Sequence, residues 1–179
     1  MRRFAQILRR TDGAEIAEAA LVLPLVFMLL LGVVWLGRAF NIYSTIQQAA
    51  QQGAITAARA SCVTCGNGFP IDGTVDNAIY AVMQASSIDP TQIPANSNRP
   101  TPTFCANPPS LPPLPSGCTT ASNITICRNA VLNPPASSQT PQCGVIVSFQ
   151  YPFQFYLPFT SLNLQQVILS AQAQSRMEN

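Results

Sequence analysis

Hydrophobic and polar positions alternate differently in four successive parts of the chain, and each pattern predicts an element. From Ala19 to Gly37 there is no charge and hardly a polar side chain. Nineteen residues at about 1.5 Å each give roughly 28 Å, the hydrocarbon thickness of a bilayer, so the run predicts one membrane-spanning helix at about 19–37. Pro24 lies inside it and removes one helical hydrogen bond, which predicts a kink or a loosened turn. The helical pattern then continues. Phe40, Tyr43, Ile46, Ala50, Gly53, Ala54 and Ala57 recur at helical spacing among Gln47, Gln48, Gln51 and Gln52. A continuous helix over about 14–60 is expected, its outer half carrying a narrow stripe of small apolar residues that fits either the chain's own globular part or a neighbouring helix.

Beyond residue 60 the pattern changes twice more. Val75, Ile79, Val82 and Met83 predict a short amphipathic helix within Gly73–Ile88, ended by Pro90. Prolines at 90, 94, 100, 102, 108, 109, 112, 113 and 115 predict an extended loop without regular structure over about 90–122. In "VIVSFQYPFQFYLPF" the odd positions from Val145 to Phe159 are all apolar, while the even ones include Ser148, Gln150 and Gln154. Period two predicts a strand with one buried face, and Pro152 and Pro158 place it at an edge or interrupt it. "NITIC" before it and "LQQVILSAQAQS" after it predict two further strands. The fold class is therefore α+β: a long N-terminal transmembrane helix packed on a small antiparallel sheet.

Charge fixes how such a chain is oriented. Residues 1–13 hold four Arg against Asp12, net +3, and the rest holds five Arg against six acids, net −1. A short basic segment before an apolar run keeps its own side cytoplasmic, which predicts a 1–13 cytoplasmic leader and a 61–179 head outside. No basic patch remains for nucleic acid. All six cysteines, Cys62, Cys65, Cys105, Cys118, Cys127 and Cys143, fall on the outer side, where an even number predicts a disulfide framework with 15 possible pairings. Cys62 and Cys65 could also form a redox or zinc pair.

The same composition narrows the function. The chain of 179 residues contains no His, and all nine basic residues are Arg. Nucleophile pairs that need His or Lys are thereby excluded, as are His-ligated metals. Only Asp72, Asp76, Asp89 and Glu178 lie beyond the apolar segment to serve as paired carboxylates, so neither an enzyme nor a cofactor is expected. A secreted enzyme released by cleavage near Ala60 is the distant rival.

Two carboxylates stand at the mouth of the apolar run. Asp12 with Glu15 three residues later matches a capping box. Glu18 borders directly on the uncharged residues, where burial costs several kcal/mol unless a positive partner is supplied. Ala14 and Glu18 fall on one helical face. "G-AEIAE-AALVLPL" resembles the processing site of type IV pilin-like proteins, cut after the Gly. The fifth residue of the mature chain, a Glu, then neutralises the new α-amine of a neighbouring subunit. "GAEIAEAALVLPLVFMLLLGVVWLGRAF", with its mid-helix Leu-Pro and Gly-Arg exit, resembles the TadE-like proteins of the tight-adherence (Tad) pilus system. The ending "LSAQAQSRMEN" is similar to the A-x-A-x-x-R-x-E ending common among them. The resemblance implies a minor pilin or pseudopilin of the bacterial inner membrane, processed at Gly13–Ala14 by a prepilin peptidase. Its partners would be membrane lipid, other pilin-like subunits and the Tad machinery, in a homo-oligomer or filament. The related major pilins carry Tyr after that Glu, whereas this chain has Ala19. An uncut single-span scaffold with a periplasmic head is therefore the alternative.

Overall fold

The computed structural model describes residues 11–59, 69–106, 116–133, 140–154 and 166–177. Helix α1 spans Thr11–Ala58 without a break at Pro24. Helix α2 covers Asp72–Ala85, followed by a 3-10 turn at Pro90–Gln92. Four strands follow: β1 Gly117–Ala121, β2 Ile124–Val131, β3 Cys143–Phe153 and β4 Val167–Arg176. They form an antiparallel sheet in the order β1-β2-β3-β4. Met1–Phe40 and Asn41–Asn179 are separate compact units, so α1 contributes to both.

Within the second unit the odd positions of β3 face the helices. Val145, Val147, Phe149 and Tyr151 join Ile124 and Ile126 of β2, Ala171 and Ala173 of β4, Ile79 and Met83 of α2, and Ile46, Ala50, Ala54 and Ala57 of α1 in one core. Each fully buried large apolar side chain here contributes about 1.5–3 kcal/mol. The small-residue stripe of α1 is thus spent on the chain's own head. Gly53 is its narrowest point: a Cβ there would stand 2.7 Å from both Cγ1 and Cδ1 of Ile79 and 3.5 Å from Val147 Cγ1. Gln47 Nε2, from the same helix, donates to the Ser170 carbonyl of β4 at 3.3 Å.

Two expectations need correction. The first concerns β3, which is buried on both faces rather than one. Segment 93–106 lies against its even positions. Asn96 Nδ2 stands 3.2 Å from the Ser148 carbonyl and 3.3 Å from Thr125 Oγ1, and Gln150 Oε1 accepts from Ser97 N (3.3 Å) and Ser97 Oγ (3.1 Å). Polar side chains that resemble a solvent-facing row are instead satisfied by a covering loop.

The second correction is to the proline-rich stretch, which does contain regular structure. Thr103–Cys105 bridges to β2, with Cys105 N donating to Asn129 O and Val131 N to Thr103 O, both at 2.8 Å. Strand β1 lies at the end of the same stretch and takes the neighbouring part of that β2 edge. Ser122 and Asn123, both at positive φ (49° and 65°), make the two-residue turn between β1 and β2, as a hairpin of this hand requires. Between Cys127 and Ala130 the β2–β3 register shifts: Cys127 faces Ile146 and Ala130 faces Gly144, which leaves two β2 residues opposite Val145.

The backbone of Asp12 and Glu15 lies within α1, and the side chains on which their capping-box pattern depends lie outside the described ones. The expected strand extends to Phe159, whose residues from 155 onward lie outside the described ones.

Two disulfides are present among the described residues. Cys118–Cys127 joins directly opposed residues of β1 and β2, and the Pro100 carbonyl oxygen lies 3.9 Å from Cys118 Sγ and 4.0 Å from Cys127 Sγ. Cys105–Cys143 ties the covering loop to the start of β3. Cys62 and Cys65 lie outside the described residues.

Buried charge fixes α2 against the sheet. Arg128 Nη1 pairs with Asp72 Oδ1 at 2.6 Å and Nη2 donates to the Pro70 carbonyl at 2.9 Å, while Nε is buried without a partner. One turn along α2, Asp76 is buried with Oδ1 unpaired. Burial pushes its carboxyl above the ordinary carboxylate value, a hydrogen bond with Ser122 opposes this, and the Asp72 charge adds to it.

Candidate functional site: the apolar half of helix α1

The residues singled out by sequence all lie in one unbroken stretch of helical backbone. Gly13 and Ala14 are in the first turns of α1, so the bond between them is held in a helix rather than displayed in a loop. Gly costs a helix about 1 kcal/mol relative to Ala, which lowers the cost of opening the backbone locally at that bond. Glu18 follows one turn after Ala14, at the i, i+4 spacing that places the two positions on one face of the helix. Glu18 is exposed, and so are the residues that border it: Ile16 is 71% exposed and Leu21 73%.

From Ile16 to Leu36 the large side chains of α1 are exposed almost without exception, among them Leu25, Phe27, Met28, Leu29 and Val34. The helix of Ile16–Ala58 is long and apolar enough to cross a membrane, and none of its most apolar window is buried inside the protein. Such a surface costs about 25 cal/mol per Å² in water, so its stable setting is lipid or other apolar helices.

The far end of this column is marked by a pair that sequence reading did not single out. The Arg38 guanidinium lies over the Trp35 ring, 5.6 Å from its centroid. Their i, i+3 spacing was the available signal, since residues so spaced on a helix are neighbours. From Glu18 to Arg38 there are twenty residue steps, about 30 Å of helix, and no charge lies between them. The span is therefore bounded by one acid and one base at the separation of the two faces of a bilayer core.

Residues 13–54 match the family model for TadE-like protein. This segment is similar to TadE-like proteins. The match starts at the Gly of the suspected processing site, takes in Glu18 and the whole apolar column, and ends at Ala54, just beyond the Gly53 constriction. No curated protein and no solved structure matches the chain significantly. The A-x-A-x-x-R-x-E ending falls outside the matched residues. There, Ala171 and Ala173 are the buried positions of β4, opposite Phe149 and Val147.

Proposed function

We propose that this chain is a pilin-like assembly protein of a Tad pilus, a minor pilin or pseudopilin. One span holds it in the bacterial inner membrane, with the basic leader in the cytoplasm and the head on the periplasmic side. The observation that carries this reading is the position of Glu18 within the TadE-like segment, at the edge of an exposed apolar column and one helical turn after Ala14. In this account a prepilin peptidase removes residues 1–13 after local opening of the Gly13–Ala14 bond. The new α-amine then supplies the positive charge that an acid at the rim of lipid needs. When the chain leaves the bilayer for a filament, its apolar column exchanges lipid for the columns of neighbouring subunits. Each Glu18 neutralises a neighbour's Ala14 amine. The head keeps its own stripe of small residues, so intersubunit packing falls to the segment before Asn41.

A second reading, an uncut scaffold of the Tad machinery with a periplasmic head, is favoured by Ala19 at the position where the related major pilins carry Tyr. Glu18→Gln separates the two, since it keeps the size of the side chain and removes its charge. The pilin reading expects the variant to reach the membrane with head disulfides intact and to be lost from sheared pilus fractions. Undiminished recovery of the variant in those fractions would refute the pairing of Glu18 with an amine.

A further inference from the structure

We propose that Trp35 and Arg38 form a headgroup site for anionic phospholipid at the outer end of the span, with Arg38 as its phosphate ligand. The inference rests on the reading of Ile16–Leu36 as membrane-spanning and adds a specific lipid contact to it.

Arg38 is the sole charge between Glu18 and Arg59, and it stands where the apolar column ends. Its neighbours on the helix are strongly apolar and open to the surroundings, with Leu36 68% and Phe40 73% exposed. Among the described residues no carboxylate forms an ion pair with Arg38, whereas Arg128, the arginine buried in the head, has both an acid and a carbonyl partner. A lone arginine on the outer side also runs against the bias that collects basic residues in the cytoplasm. An anionic ligand compensates for that placement.

The guanidinium held over Trp35 carries five N–H donors in a planar fork, the geometry that suits a phosphate. Trp itself favours the headgroup level, with its ring toward the chains and its N–H toward the polar layer. At a helix distance of about 30 Å from Glu18, the pair sits at one boundary of the hydrocarbon core when Glu18 sits at the other, and the long Arg38 side chain reaches from there toward the phosphates. An anionic lipid such as phosphatidylglycerol matches the site better than a zwitterionic one, whose headgroup carries a cation that opposes Arg38.

The chain contains one Trp, so Trp35 reports on this position alone. The full chain is reconstituted in vesicles of phosphatidylcholine containing phosphatidylglycerol. In parallel samples the bromine quencher is carried either by the phosphatidylglycerol or by an equal amount of the phosphatidylcholine. The expected result is a local preference of about fivefold for the anionic quencher, the scale of one basic residue at a charged bilayer surface. Arg38→Gln should bring the preference to unity while leaving Trp35 quenched by both lipids. Equal quenching by the two lipids in the unaltered chain overturns the headgroup site and leaves the span standing. Absence of quenching by either lipid overturns both.

Discussion

Gly53 is the position at which one added carbon tests how α1 packs on its head. In Gly53→Ala the new Cβ would stand 2.7 Å from Cγ1 and Cδ1 of Ile79, and Val147 Cγ1 at 3.5 Å closes the other side. Ile79 and Val147 are both fully buried, so neither yields into solvent. Overpacking of this kind costs about 1–3 kcal/mol. The Gly-to-Ala change in a helix returns about 1 kcal/mol, which leaves a net loss on the order of 1 kcal/mol. Ile79→Ala alone costs about 2–5 kcal/mol through lost burial and a cavity. In that background the obstructing atoms are gone, the added methyl fills part of the void, and Gly53→Ala becomes stabilising by about 1 kcal/mol. The assay is urea unfolding of the detergent-solubilised chain, followed by hydrogen exchange of β3 amides, for all four members of the cycle. The reversal of sign is the decisive feature. If Gly53→Ala has the same effect with Ile79 present and absent, the close approach of α1 to α2 at this point is wrong.

Two further expectations concern the head. Because the Asp76 carboxyl is raised above its ordinary value, its contribution is fully present below pH 3.8 and is lost as pH rises through the raised value. Asp76→Asn, which keeps a group able to bond Ser122, should therefore gain stability relative to the unaltered chain as pH rises, measured as urea midpoints from pH 3 to 7. A constant difference between the two across that range would contradict the burial of an ionisable Asp76. For the disulfides, loop-closure entropy assigns about 4 kcal/mol to Cys105–Cys143, which closes 38 residues, and about 2.5 kcal/mol to Cys118–Cys127, which closes 9. Paired Ser substitutions should show that order in their unfolding midpoints, and the reverse order would contradict the entropic account.

What the sequence made legible follows from signal strength. The long helix and β3 were readable because their apolar positions hold a period over many residues. Ala14 and Glu18 share a helical face by spacing, and the TadE-like resemblance matches the segment that contains them. Strand β1 escaped because Gly117–Ala121 is largely exposed and carries no large apolar side chain; its place is set by the Ser122–Asn123 turn and by Cys127 across the pair. The second buried face of the sheet escaped for the opposite reason. Ser148 and Gln150 carry the polar half of an alternation, and alternation cannot tell water from a hydrogen-bonding loop. Disulfide partners were beyond reach because Cys105 and Cys143 are brought together only when Thr103–Cys105 joins the β2 edge.

The central claim is that Glu18 finds its partner in an amine made by cleavage, and the most direct measurement is the intact mass and N-terminal sequence of the protein isolated from its native membrane. The account predicts a chain that begins at Ala14. A chain that still begins at Met1 would contradict it and leave the anchored scaffold.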